Sequence, residues 1–172
     1  DWGTITLVAG QTYTLSLDYY QNADQANVKL EWQSPSQARE VVPGSPPDAG
    51  TVGGGTGGGG GTVVLGDGNG LLGTYYDNSD FTGTQVSRID PTVKFSWQGQ
   101  RRVSPIDTTT FSVRWEGQVL APVTGDYTFL VNSDDGARLW VNDQPLLDVW
   151  GDKTESEYPS DPITLQAGQK YN

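Results

Sequence analysis

The chain has 172 residues without cysteine, histidine or methionine, and its 21 acidic against 10 basic residues give a formal net charge of −11. The missing cysteine and histidine exclude a disulfide framework, a zinc finger, a thiol nucleophile and a Ser-His-Asp triad. The acidity argues against a nucleic-acid-binding protein, which needs clustered lysine and arginine, and no apolar run approaches the roughly 20 residues of a membrane-spanning helix.

Apolar and polar residues alternate in short runs, and this alternation predicts β-strands. In the first long run, Tyr13, Leu15, Leu17 and Tyr19 fall on one face at a period of two. Further strands are predicted at residues 4–8, at Val28, Leu30 and Trp32, at Phe111, Val113 and Trp115, at Tyr127, Phe129 and Val131, and at Ala137, Leu139 and Val141. With turn signals between these runs and no helical stripe, the sequence predicts an all-β chain folded as an antiparallel β-sandwich.

A glycine-rich stretch at residues 44–70 separates two groups of predicted strands. Thirteen of its 27 residues are glycine, so it has few side chains to bury and a high entropic cost of ordering. We expect a flexible linker. The alternative is an extended strand that packs against a neighbouring chain and is anchored by Val63, Val64 and Leu65.

A nine-residue sequence occurs twice, as ITLVAGQTY at residues 5–13 and as ITLQAGQKY at residues 163–171. Seven of the nine positions are identical, at an offset of 158. The simplest explanation is a tandem array with a repeat of that length. Because the chain also begins with Asp1 and not with methionine, we expect it to be a segment of a longer protein.

Several segments resemble the protective-antigen-type, lectin-like domain family, here called PA fourteen. They are GLLGTYYDNSDFTGT (70–84), RIDPTVKFSW (88–97) and FSVRWEGQVLAPVTGDYTFLVNSDDGARLWVND (111–143). DPITLQAGQKY (161–171) is similar to the family's next strand, and LSLDYYQNADQANVKLEWQSPSQAREVVP (15–43) is similar to its closing segment. The resemblance implies a PA fourteen-like β-sandwich with its segments in a split order.

The split order divides the chain into three parts: closing strands at 1–43, the linker at 44–70, and the opening strands of the next domain at 71–172. Either residues 1–43 fold back on 71–172 as a permuted domain, or neighbouring units complete each domain by strand addition. The repeat favours the second arrangement, because two copies of one strand would compete for a single position in the sheet.

The resemblance also implies a calcium site. In lectin-like members a pair of consecutive aspartates, joined by a cis peptide, holds Ca²⁺, which coordinates sugar hydroxyls; the matching residues here are Asp134 and Asp135. Two adjacent carboxylates suit a hard cation. The alternative is an ordinary hairpin turn, because Asp-Asp-Gly between two alternating runs is a common turn signal.

A loop near the end of the domain supplies the remaining ligands in these members, and it is similar to residues 21–27 here. Asn22 and Asp24 are the predicted metal ligands in this loop, and Gln25 and Asn27 are predicted to contact the ligand. The alternative is a polar hairpin tip.

Trp150 lies near the expected site and is a candidate for stacking on a sugar ring, although a half-buried core or rim position is the competing interpretation. The other strand tryptophans are interpreted mainly as core residues: Trp32, Trp97, Trp115 and Trp140.

These features predict an extracellular or cell-surface tandem-repeat protein, a filament or stalk unit with an adhesive role. Its domains would bind glycans with Ca²⁺ and associate with neighbouring copies of the repeat. The alternative is a stand-alone Ca²⁺-dependent carbohydrate-binding module attached to a secreted glycosidase or adhesin. We do not expect an enzyme, because glycosidases need carboxyl groups roughly 5 Å or more apart across a cleft, and adjacent aspartates do not supply one.

Overall fold

A computed structural model of the chain describes residues 12–22, 25–42, 70–97, 103–106, 109–121 and 124–165. The strands are, in chain order, β1 (Thr12–Gln21), β2 (Asn27–Ser34), β3 (Gln37–Val41), β4 (Leu71–Tyr76), β5 (Gln85–Asp90), β6 (Lys94–Ser96), β7 (Phe111–Leu120), β8 (Gly125–Ser133), β9 (Ala137–Val141), β10 (Gln144–Val149), β11 (Ser156–Pro159) and β12 (Ile163–Leu165). The described ranges contain no helix long and apolar enough to cross a membrane.

The strands form two antiparallel sheets that pack face to face. Sheet A has the order β10-β9-β1-β7-β4-β5. Sheet B has the order β11-β8-β2-β3, with β12 also paired to β8 and β6 to β2. The predicted all-β, antiparallel β-sandwich is therefore confirmed.

The core lies between the sheets and consists of the inward residues of the predicted alternating runs. Each of the following is fully buried: Leu17, Tyr19, Trp32, Phe111, Val113, Trp115, Tyr127, Phe129, Val131, Ala137, Leu139 and Val141. Trp97 is also buried. The prediction was wrong for Trp140, which is half-buried. Because Leu139 and Val141 point inward, the pleat directs the residue between them to the outer face.

The closing segment packs on its own chain. All ten residues of β1 pair with β7, and Leu15–Tyr19 of the same strand also pair with β9. Val28–Gln33 of β2 pair with β8. Within the described residues, β1 and β2 therefore pair with strands of their own chain, as in the permuted arrangement, and completion by neighbouring units stays a prediction. The predicted strand at 4–8 and all but Gly70 of the predicted linker lie outside the described residues.

Asp90 anchors a buried polar group where β5 ends. Its carboxylate accepts hydrogen bonds from the Tyr75 hydroxyl (2.5 Å), the Trp115 indole N–H (2.8 Å) and Arg88 Nε (2.6 Å). Burial, reinforced by the Asp90 charge, raises the pKa of Tyr75 well above its ordinary value, so the hydroxyl stays a donor. Gly73 makes room for this group, because a Cβ there would lie 2.5 Å from Asp90 Oδ2.

Two of the outer strands, β10 and β11, carry features that interrupt regular pairing. β10, at one edge of sheet A, contains Pro145 and a shift of register between Pro145 and Leu147. β11, at one edge of sheet B, ends with Pro159. Proline has no N–H to donate to another strand, so each of these edges has at least one position that cannot extend the sheet.

Asp90→Ala should lower the free energy of unfolding by about 3–5 kcal/mol, because it leaves a buried hydroxyl, an indole N–H and a guanidinium without their shared acceptor. Denaturant unfolding measures the loss. Asp148→Ala is the matched control: Asp148 also pairs with an arginine, but its side chain is 51% exposed, so we expect a loss of about 1 kcal/mol or less. Equal losses for the two variants would contradict the importance of this group.

A rearranged chain should test the strand order. Leu165 at the end of β12 pairs with Gly125, and Thr12 at the start of β1 pairs with Leu120. Both therefore flank the short connection at 121–124, at the same end of the sandwich. A chain of residues 70–169 followed directly by 12–42 should fold with an unchanged far-ultraviolet circular dichroism spectrum and a cooperative thermal transition, because every described strand pair is kept.

The companion chain, residues 70–169 alone, should not fold cooperatively, because sheet A would lose its central strand. If the rearranged chain is unfolded while the original chain is folded, the inferred proximity of β12 and β1 is wrong.

Candidate functional site

Three connections between the sheets meet at one end of the sandwich. The chain crosses between the sheets after β1 (residues 22–26), after β8 (134–136) and after β10 (150–155). The register places them together, because Ser133 pairs with Val28 and Ala137 pairs with Tyr19. The Asp-Asp-Gly sequence and the 21–27 loop are therefore crossovers, and neither is a hairpin tip.

The three crossovers line a cavity of about 600 Å³, called here the crossover cavity. Its lining residues are Asn22, Gln25, Asp134, Asp135, Asp152, Lys153, Thr154 and Glu155. Four carboxylates against one lysine give this lining a formal charge of −3. The cavity therefore presents mainly carboxylate and amide oxygens, the chemistry that suits a hard cation or the hydroxyl groups of a polar ligand.

Asp135 joins all three crossovers. It is 6% exposed. Its carboxylate accepts hydrogen bonds from the backbone N–H of Asn22 (2.8 Å) and of Lys153 (3.0 Å). The backbone N–H of Asp135 donates to the Lys153 carbonyl (3.1 Å), and that of Asp134 donates to the Asn27 carbonyl (3.0 Å). The Asp135 side chain and the backbone N–H groups of Asp134 and Asp135 thus connect the three crossovers.

The backbone at this pair differs from the expected arrangement. The cis peptide found among the described residues is Ser104–Pro105, so the Asp134–Asp135 bond is trans. Asp135 instead has a positive φ of 62°, a left-handed conformation that aspartate tolerates better than most residues. The hydrogen bonds to Asn22 and Lys153 hold the carboxylate of this residue in place.

Tyr20 packs beside the crossover cavity and positions one of its carboxylates. Its hydroxyl donates to Asp152 (2.8 Å), which also accepts a hydrogen bond from the Asn22 side chain (2.9 Å). Burial, with the Asp152 hydrogen bond as the second cause, raises the pKa of Tyr20 well above its ordinary value. The ring lies against Gly136, where a Cβ would come within 2.2 Å of a ring carbon. The glycine after the aspartate pair therefore allows Tyr20 to reach Asp152.

The structure places the predicted ligand residues in three different ways. Asn22 and Gln25 are exposed and line the cavity together with the aspartate pair. Asn27 is buried and donates from its side chain to Glu155 (3.2 Å), so it positions a cavity carboxylate. Asp24 lies outside the described residues.

Trp150 lies beside the cavity and is half-buried. Its ring contacts Tyr20 at a centroid distance of 4.5 Å, and the Arg138 guanidinium lies 4.3 Å from its centroid. Trp150 therefore packs against Tyr20 beside the cavity, and its partly exposed ring leaves stacking on a sugar as a prediction.

Sequence reasoning missed the third crossover, which supplies Asp152, Lys153, Thr154 and Glu155 to the cavity. The available signal was the polar run that follows Gly151. It also missed Tyr20, whose position in the strand pattern gave no indication of a role at the site.

The cavity fits Ca²⁺ in the chemistry of its donors. Ca²⁺ takes about six to eight oxygen ligands, and each carboxylate oxygen here that accepts one hydrogen bond keeps a second lone pair. Within the described part of the chain, however, no group of three carboxylates is close enough to hold a metal ion as it stands. Asp134, Asp135 and Asn22 are the described residues that would hold the ion.

The fold and cavity define a β-sandwich domain with a polar site built on its inter-sheet crossovers. The chain belongs to the PA14 domain family, which it matches over residues 67–172, and this confirms the resemblance seen in the sequence. It is also similar to the anti-sigma-I factor RsgI3 of Acetivibrio thermocellus, with 32% identity over 171 residues. That alignment covers 98% of this chain and 25% of the relative, so the chain spans about a quarter of that protein. No solved structure matches the chain significantly.

Gly136→Ala should destabilise the protein by about 1–3 kcal/mol, because the added methyl group overpacks against the Tyr20 ring. Thermal or denaturant unfolding measures the change. Gly125→Ala serves as the control, since the nearest atom to a Cβ at that position is 3.8 Å away, and it should change stability by about 0.5 kcal/mol or less. A neutral Gly136→Ala variant would show that Tyr20 can move without cost.

Proposed function

We propose that the chain is a carbohydrate-binding domain whose ligand occupies the crossover cavity. The observation that carries the proposal is the meeting of three crossovers, joined by Asp135, in a cavity rich in carboxylate and amide oxygens. Sugars present many hydroxyl groups, and carboxylate and amide groups are suitable hydrogen-bond partners for them. Membership of the PA14 family supports this proposal, because lectin-like members bind carbohydrate.

The proposal includes Ca²⁺ as the cofactor. Asp134, Asp135 and Asn22 would hold the ion, with Asp24 as a further ligand predicted from the sequence. When bound, the ion would offer open coordination positions to sugar hydroxyls. The chain's own contribution is the rigid placement of Asp135, whose two oxygens are already fixed by backbone N–H groups, and the exposed Gln25 amide at the cavity edge.

The setting we propose is a binding domain, without catalytic activity, within a larger extracellular or cell-surface protein. RsgI3 is named as an anti-sigma factor, and the matching region is a quarter of that protein. By analogy, this chain would be the part that senses a glycan, while other parts act on a sigma factor. The proposal of a non-catalytic role is supported by the sequence, which has no histidine or cysteine to serve as a general base or thiol nucleophile.

A structural repeat is the second candidate. It is supported by the duplicated sequence at an offset of 158 residues. A stalk or filament unit would use neighbouring copies of the repeat as its partners. The two candidates differ in what they require at the cavity, because a purely structural unit needs neither Ca²⁺ nor a glycan there.

Asp134→Asn separates the candidates. The substitution keeps the shape of the side chain but removes a charged ligand, so the affinity for Ca²⁺ should fall by about tenfold or more. Calorimetric titration with CaCl₂ measures this, and a glycan array with and without a chelator measures the dependence of sugar binding on the ion. Asp126→Asn is the matched control, since Asp126 is exposed at the start of β8, opposite the end where the crossover cavity lies.

The binding proposal predicts glycan signals for the unmodified chain and for Asp126→Asn, and their loss for Asp134→Asn. Glycan binding that persists in chelator would overturn the calcium part alone. An array without any glycan signal would overturn the binding proposal and leave the structural repeat.

A further inference from the structure

An aromatic strip lies on the outer face of sheet A, next to the crossover cavity. It consists of Tyr76, Phe81 and Trp150, all of them half-buried. The Trp150 and Phe81 rings stack with centroids 5.9 Å apart and planes inclined by 30°. Phe81 and Tyr76 meet edge to face at 5.8 Å. The strip therefore offers continuous, partly exposed aromatic surface on the solvent side of the sandwich.

The loop that contains Phe81 holds this residue in an unfavourable backbone conformation. Its φ is 61°, a left-handed conformation that bulky side chains rarely adopt. The Ser112 hydroxyl accepts a hydrogen bond from the Phe81 N–H (3.1 Å) and donates to the Asn78 carbonyl (2.7 Å). An aromatic ring kept on the surface in an unfavourable backbone conformation is a feature associated with ligand contact.

Two arginines flank the strip. The Arg114 guanidinium lies 4.9 Å from the Phe81 centroid, and the Arg138 guanidinium lies beside Trp150. Arg114 gives two of its N–H groups to Asp18, and a guanidinium has five. The strip thus combines apolar ring surface with hydrogen-bond donors, the pairing that suits a sugar ring with its apolar face and its equatorial hydroxyls.

The strip and the cavity are adjacent. Tyr20 connects them, because its ring contacts Trp150 at 4.5 Å and its hydroxyl donates to Asp152 in the cavity wall. A linear ligand with one sugar in the cavity could therefore continue along sheet A over Trp150 and Phe81 towards Tyr76.

We propose that the aromatic strip is an extension of the binding site that accepts further sugar units, so that the preferred ligand is an oligosaccharide or polysaccharide chain. This inference rests on the proposed carbohydrate binding at the crossover cavity. The occupant is a neutral glycan chain and not a monosaccharide, because the strip holds surface for several rings and the charges of both arginines are balanced by Asp18 and Asp148.

The substitution Phe81→Gly tests whether the aromatic strip extends the binding site. Glycine adopts the left-handed conformation of this position freely, so the change removes the ring without adding backbone strain. Binding of cellohexaose, xylohexaose and mannohexaose, and of glucose, xylose and mannose, is measured by calorimetry for the unmodified chain and the variant. For the hexasaccharide bound most tightly, the affinity should fall by about tenfold, while the affinity for its monosaccharide stays the same. Tyr76→Ala should act in the same direction.

Trp140→Ala is the matched control, because Trp140 is half-buried on the same outer face but takes no part in the ring contacts of the strip; it should leave both affinities unchanged. Equal binding of hexasaccharide and monosaccharide, with no effect of Phe81→Gly, would overturn the extension and leave the cavity proposal intact. A hexasaccharide affinity that is lost with Phe81→Gly but unaffected by Asp134→Asn would overturn the cavity proposal instead. If the unmodified chain binds none of the six sugars but gives a signal on the glycan array, the extension along neutral glycan chains fails and the cavity proposal stands.

Discussion

The insertion of β1 between β7 and β9 is the constraint on which the rest of the structure depends. Without this strand, sheet A would separate into a pair, β10-β9, and a triplet, β7-β4-β5. Leu15, Leu17 and Tyr19 of β1 are buried at the centre of the core. The same strand carries Asp18 to its ion pair with Arg114 on the outer face. The strand β1, which is about 90 residues or more from β7 and β9 in the sequence, therefore completes both sheet A and the core.

The position of β1 in sheet A also determines the geometry of the crossover cavity. β1 ends at Gln21, and the next residue, Asn22, reaches Asp135 and Asp152. The polar cavity is thus built from three parts of the chain that only the completed sandwich brings together. Because Asp135 is bound to backbone N–H groups of two other crossovers, its carboxylate orients them as well as facing the cavity. The arrangement of the site therefore depends on the completed fold.

The sequence was a good guide to the fold and an incomplete guide to the site. A period of two predicts which residues face the core, because successive side chains of a strand point to opposite faces of the sheet. It placed Phe129 and Leu139 in the core correctly. The same rule would have excluded Trp140 from the core had it been applied within that strand. Turn signals such as Asp134-Asp135-Gly136 mark where a strand ends, but not whether the chain returns to the same sheet or crosses to the other. The role of Asp152 depends on that crossing, so no local pattern could reveal it.

The interrupted outer strands have a consequence for how such domains behave side by side. Pro145 and the register shift in β10, with Pro159 at the end of β11, leave edges that a strand from another molecule cannot follow for more than a few residues. A second domain that approached either of these two edges would meet this one without extending its sheet. Under the proposed glycan binding, several copies held close together would each keep a separate cavity, and their many weak contacts with one polymer would add up to firm attachment.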